Sequence, residues 1–274
     1  MILATQDKPF LPSDLEGKLA AAAELGFDAY EADGSLLLSR YDELAEASRR
    51  SGVPVVSVCG GYGGWIGDFD EARRRRALED IVRILEAGSG LGIRGIVAPA
   101  AWGMFSLRLP PMTPPRSAED DRKVLLDSLS VLDAAAERTG TWIYLEPLNR
   151  YEDHMINTLA VAADIIAAGS FRRVKIAADF YHMNIEEAHI EESLTAFAPY
   201  IGHVHLADSH RYQPGTGHLD FQPGFRALRA TGYNGIFTVE CRVSGDDPTA
   251  GYRASAVRIR SDLAAAGYGG RGSR

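Results

Sequence analysis

Apolar positions follow two rhythms along this chain: short unbroken runs, and longer stretches in which they return every three or four residues. The runs at 2–6, 27–32, 53–58, 93–98, 142–146, 174–179, 201–206 and 235–241 predict strands. The stretches between them predict helices. The first opens at Pro12 and Ser13 with a capping box from Ser13 to Glu16, carries Leu15, Leu19 and Ala22 on one face, and ends at Gly26. Others are expected over 41–50, 70–88, 118–138, 158–168, 186–197, 221–231 and 249–266; in the one at 70–88, Ala77, Ile81, Ile84 and Leu85 share a face.

Eight strands alternating with eight helices, over a length near the ~250 residues common for such an arrangement, predict an α/β fold. A single (β/α)8 barrel, a TIM barrel, is expected over residues 1–266, with an open doubly wound sheet as the alternative. No Gly-x-Gly-x-x-Gly follows a strand and no Gly-Lys-Ser/Thr loop is present, so neither a dinucleotide nor a P-loop nucleotide site is indicated. Residues 267–274, rich in Gly with little to bury, read as a disordered tail.

Composition narrows the partners. Twenty-nine basic against thirty-seven acidic residues give a net charge of −8, which repels a phosphate backbone and argues against nucleic acid. The one compact basic run, Arg73 to Arg76, is flanked by Asp68, Asp70, Glu71, Glu79 and Asp80 and reads as a solvated helix face. With no basic leader and no apolar stretch of membrane-spanning length, a soluble cytoplasmic protein with no membrane partner is expected. Cys59 and Cys241 are too few for a disulfide framework and read as buried free thiols. A homo-oligomer is compatible with all of this.

The candidate chemistry sits at strand ends. Active sites in such barrels lie at the carboxyl ends of the strands, and side chains alternate across each strand. Trp142, Tyr144 and Glu146 therefore share a face, as do Ile236, Thr238 and Glu240, while Asp179 ends the sixth run and His205 lies late in the seventh. Taken singly, each is explained by a buried ion pair or a core histidine. Together, three carboxylates and an imidazole aimed into one mouth call for a cation, and this oxygen-rich set suits Mn²⁺, Mg²⁺ or Co²⁺. One divalent metal is expected. His203, one alternation deeper, reads as a supporting or core residue. Loops 60–69, with Tyr62 and Trp65, and 100–116, with Trp102 and Phe105, could wall in a small substrate. His154, His189, His210 and His218 receive no role, and Arg108, Arg116, Arg150 and Arg242 serve either a phosphate or the surface.

The segments Leu-Glu146-Pro-Leu-Asn-Arg-Tyr-Glu152, Asp179-Phe-Tyr-His182, Gly-His-Val-His205-Leu-Ala-Asp-Ser-His-Arg211 and Val-Glu240 resemble the xylose isomerase-like sugar isomerase/epimerase superfamily, and most of all its ketose 3-epimerases of the tagatose/psicose type. That resemblance implies that Glu146, Asp179, His205 and Glu240 hold a divalent metal, with Mn²⁺ foremost. It implies that Glu146 and Glu240 are also the catalytic acid/bases, and that His182, Arg211 and Glu152 contact a sugar substrate or support its site. Trp102 and Trp65 are expected, from their loops alone, to complete the substrate-binding wall. The implied reaction removes the C3 proton of a ketose and returns it on the other face through an enediolate. A hydroxypyruvate-type isomerase, an inosose dehydratase and a sugar-phosphate epimerase share the metal site and stay open. A zinc apurinic-site endonuclease would need histidines after the early strands, and none precedes His154. A non-catalytic sugar-binding barrel would lack one of the two glutamates, and both are present.

Overall fold

The computed structural model describes residues 1–107 and 112–269. Eight parallel strands close into a barrel: β1 Ile2–Thr5, β2 Ala29–Ala32, β3 Val55–Cys59, β4 Gly95–Pro99, β5 Trp142–Glu146, β6 Val174–Asp179, β7 Ile201–Leu206 and β8 Ile236–Val239. Each pairs with the next, and β1 pairs with β8, so no strand edge is left open. The helices around it are α1 Leu15–Glu24, α2 Gly34–Ser39, α3 Tyr41–Ser51, α4 Glu71–Leu91, α5 Ala118–Thr139, α6 Leu159–Gly169, α7 Phe180–Glu186, α8 Ile190–Ala196, α9 Gln222–Ala230 and α10 Pro248–Ala265. Together they form the TIM barrel expected from the alternation. Among the described residues, no helix is long and apolar enough to cross a membrane.

Local chemistry sets the helix boundaries. Short polar side chains take up the orphan N–H groups of first turns: Asp70 accepts from Ala72 and Arg73, and Ser117 accepts from Asp120. The start of α1 differs from expectation by one residue, because Asp14 accepts from the Gly17 N–H in place of Ser13. Two further departures lie at strand ends. Asp33 caps the short α2, which the chain inserts directly after β2. Asp179, the last residue of β6, caps α7, a helix over 180–186 that was not expected, and the helix expected over 186–197 is the shorter α8.

Two packed layers result. Leu19, Ile81, Leu129, Phe225 and Ile259 fill the space between helices and sheet. Inside the barrel the apolar packing is thin: Ala4, Ala29, Val56 and Ile236 form one cluster, and Val97, Tyr144 and Ala177 another. The rest of the interior is polar, and the strand registers stack it in levels, with Ala177 beside His203, then Asp179 beside His205 and His205 beside Thr238. Tyr268, expected in the tail, is only 3% exposed and meets Phe237 edge-on. Its ring gave the chain a reason to stay packed beyond residue 266; residues 270–274 lie outside the described residues.

Candidate active site

β5, β6 and β7 deliver Glu146, Asp179 and His205 at their carboxyl ends, and Glu240 follows β8 with its N–H donating to the Leu206 carbonyl. One ligand atom from each of the four lies within 4.8 Å of the others. His205 Nδ1 is 2.8 Å from both Glu146 Oε1 and Glu240 Oε2. The Arg211 guanidinium bridges Asp179 and Glu240, 2.6 Å from Glu240 Oε2. The three oxygens and one nitrogen that these four residues offer match the donor preference of a divalent cation such as Mn²⁺, Mg²⁺ or Co²⁺. The residues fit such an ion.

The same crowding separates the two glutamates. Burial pushes the Glu146 carboxyl up to about 7, partly offset by His205 and reinforced by Glu240 and Asp179. Burial acts the same way on Glu240, but Arg211 and then His205 outweigh it and hold that carboxyl well below its usual range. His205 shows the converse: burial disfavours its charge, yet Glu240, Glu31 and Glu146 raise it well above an ordinary imidazole. Without a cation, one carboxyl of the pair is thus poised to give a proton and the other to take one.

Glu31, on β2, carries no label from sequence but organises the floor of the site. It is 1% exposed; its Oε1 lies 2.9 Å from His205 Nε2 and accepts from Gln6 at 3.0 Å. Its Oε2 accepts from Ser57 at 2.6 Å and lies 2.9 Å from His203 Nε2. With a carboxylate on Nε2, that nitrogen carries the proton and Nδ1 is left to face the cluster. His203, expected to be a supporting or core residue, is fully buried, faces Glu31 and stacks on Tyr144. The one available signal was that Glu31 lies late in the run 27–32, at the end where such barrels place their sites. Glu31→Gln should weaken divalent-metal affinity about 10- to 100-fold, measured by calorimetric titration, because an amide can accept a hydrogen bond on only one of its two sides.

Above the cluster lies a small chamber of about 180 Å³, lined among others by Tyr62, Trp65, Trp102, Glu146, His182 and Arg211. His182 Nδ1 accepts the Asn149 backbone N–H at 3.0 Å, which leaves its Nε2–H as a donor, and burial lowers its pKa so that the ring stays neutral. Glu152 receives the Trp102 indole N–H at 2.9 Å and the Asn149 amide at 2.9 Å. It braces the wall. Arg211 sits in the left-handed region at φ 66°, a conformation costly for a side-chain-bearing residue. Asp208 holds that loop in place: its carboxylate accepts from Ser209 at 2.8 Å, Gly215 at 2.8 Å and Leu219 at 3.2 Å. A Cβ on Gly217 would come within 2.1 Å of Asp208 Oδ1, so only glycine lets the turn close around it.

Other candidates are drawn elsewhere. Arg150 pairs with Glu186, and Arg116 with Asp121 and the carbonyl groups of Gly67 and Asp68, so neither is turned toward a substrate phosphate. Arg108 lies outside the described residues. His154 pairs with Asp121, and His218 with Ser209. His210 and Arg242 line an outer cleft beside the chamber.

Comparison with known proteins agrees with this architecture. The family described as xylose isomerase-like TIM barrel matches residues 19–261. A 3-dehydro-D-guloside 4-epimerase of Escherichia coli K12 is 51% identical over 95% of this chain and 100% of its own length. The crystal structure of an E. coli 3-keto-D-glucoside 4-epimerase in its apo form superposes with a TM-score of 0.93, at 51% identity, over 95% of this chain and 99% of that one. An L-ribulose 3-epimerase of Mesorhizobium japonicum is 31% identical over 81% of this chain and 73% of its own. The chain belongs to the xylose isomerase-like TIM barrel family, and its relatives there make it an isomerase-type enzyme.

Proposed function

We propose that this chain is a divalent-metal-dependent epimerase of keto sugars that inverts a carbon next to the carbonyl, and that its substrate is a 3-keto glycoside inverted at C4. The reaction class rests on one observation above all: two glutamates, one from β5 and one just beyond β8, flank His205, each with an oxygen 2.8 Å from its Nδ1. The choice of C4 rests on the relative that is 51% identical. Glu146, Asp179, His205 and Glu240 would hold the metal, with Mn²⁺ foremost and Mg²⁺ or Co²⁺ as alternatives. When bound, the metal acts as a Lewis acid that acidifies the carbon beside the carbonyl.

The side chains supply the rest. Glu240, kept ionised by Arg211 and His205, takes the proton from that carbon. Glu146 enters from β5, with β6 and β7 between it and Glu240, and returns a proton to the other face. The His182 Nε2–H and the Arg211 guanidinium donate to oxygens where negative charge develops, in a chamber whose aromatic walls exclude water. Glu152 positions Trp102 over the ring.

A second reading, ketose 3-epimerisation, is favoured by the motifs around Glu146, Asp179 and His205 and by the 31% identical relative. It uses the same groups on C3 of an open-chain ketose. The purified, metal-loaded protein should be incubated in deuterated water with methyl 3-keto-glucoside and with free and phosphorylated ketoses, and products followed by NMR. One deuterium at an inverted C4 is the expected result. Exchange at C3 of a ketose would move the assignment to the second reading. Migration of the carbonyl, loss of water or silence across the panel would refute both.

A further inference from the structure

The chamber over the cluster opens outward into a second, larger cleft. The inner space, about 180 Å³, falls below the ~300 Å³ at which typical ligand pockets begin, and so takes one small sugar ring. The outer cleft is about 560 Å³. Trp102, Glu152, Arg211 and Glu240 line both, so the two spaces are continuous across the reacting centre. A free ketose occupying the inner chamber would leave the larger cleft without an occupant.

The outer cleft has a particular character. Two of the chain's exposed large side chains, Trp102 at 56% and Tyr151 at 57%, lie on its wall. Tyr181 lies in the same wall, its ring facing the Arg211 guanidinium at 4.9 Å. The two loops that carry Trp102 and Tyr151 are tied together, by the Gly103 N–H on the Glu152 carbonyl at 2.8 Å and the Leu107 N–H on the Arg150 carbonyl at 2.8 Å. The Trp102 indole is fixed by Glu152, and the Tyr151 N–H donates to Asn149 Oδ1 at 3.0 Å. Exposed aromatic rings on a braced backbone present flat apolar surface at little ordering cost, which is how rings are bound by stacking. Polar groups at the edge, from Glu152, His210 and Arg242, surround this surface with hydrogen-bonding capacity.

We propose that the outer cleft is a subsite for the group glycosidically attached to the reacting sugar, and that it selects a ring-bearing aglycone, aromatic or pyranosyl, whose face lies on Trp102 and Tyr151. This rests on the keto-glycoside reading above and extends it. The reacting ring sits in the chamber, and the glycosidic bond points through the shared boundary. The aglycone contributes binding energy away from the reacting carbon, which the enzyme can use to align that carbon between the two glutamates.

The test compares methyl 3-keto-glucoside, phenyl 3-keto-glucoside and a 3-keto disaccharide on the metal-loaded wild type, on Tyr151→Phe and on Tyr151→Ala. In the wild type, kcat/KM for the phenyl glycoside or the disaccharide should exceed that for the methyl glycoside by about tenfold, as one stacked ring would give. That ratio should fall toward one in Tyr151→Ala and survive in Tyr151→Phe. A preference for the phenyl glycoside alone identifies an aromatic occupant, and a preference for the disaccharide alone a pyranosyl one. Equal kcat/KM for all three in the wild type, or a ratio untouched by Tyr151→Ala, overturns the subsite and leaves the epimerase assignment standing. Turnover of free ketoses with none of any keto glycoside overturns the subsite together with the keto-glycoside reading on which it rests.

Discussion

Glu240→Gln is expected to abolish both epimerisation and solvent exchange, whereas Glu146→Gln abolishes epimerisation but leaves a slow exchange of the substrate's own proton with solvent. General acid–base groups contribute about 10²- to 10⁴-fold, and a drop of that order is expected for each variant. The difference between them follows from their surroundings. Glu240 lies against Arg211 and His205, which keep it ionised and ready to accept a proton. Glu146, which enters from β5 and has no guanidinium beside it, is the group assigned to return a proton on the opposite face. Removing the donor still lets Glu240 take a proton and put one back on the side it came from. In deuterated water, Glu146→Gln should therefore label the substrate without inverting it, and Glu240→Gln should do neither. Equal labelling by the two variants would show that their roles are not separated in this way.

Removal of divalent cations is expected to stop turnover and lower the melting temperature, and the affinity for the metal should depend steeply on pH. At metal concentrations of 100 times Kd, binding stabilises the folded chain by ~2.7 kcal/mol, worth several degrees in a domain of this size. The pH dependence follows from the protons that the cation must displace. His205 is held protonated by its carboxylate neighbours at neutral pH and must lose a proton to offer Nδ1. Glu146, with its proton affinity raised to about 7, carries a second proton only below that pH. Log affinity should therefore rise by about one unit per pH unit just above pH 7 and by about two below it. Calorimetric titration with Mn²⁺ across pH 5.5–8.5, the range that brackets this change at roughly 7, measures the slope directly. A flat profile would remove these two groups from the metal site.

Much of the candidate site was legible because the barrel converts strand position into location. The runs 142–146, 174–179 and 201–206 coincide with β5, β6 and β7, and their last inward residues meet as alternation requires. Legibility failed where one residue serves two elements. Asp179 ends a strand and caps a helix, so α7, which starts at once, was missed. Asp33 likewise starts α2 directly after β2. Glu31 was passed over because it has no partner nearby in sequence; its partners His203 and His205 are more than 170 positions away. The outer cleft was hidden for another reason: it depends on backbone bonds between two loops that no side-chain pattern records.

The contact between Glu31 and His205 also links the two halves of the chain. All four residues of the candidate centre come from β5 to β8, whereas the carboxylate that fixes the His205 tautomer comes from β2, across the barrel. A chain in which only the second half has folded possesses every donor but lacks the carboxylate that fixes the His205 ring with Nδ1 toward the cluster. Competence of the centre is thereby conditional on ring closure, and the ion would act as a checkpoint that rewards only the completed barrel.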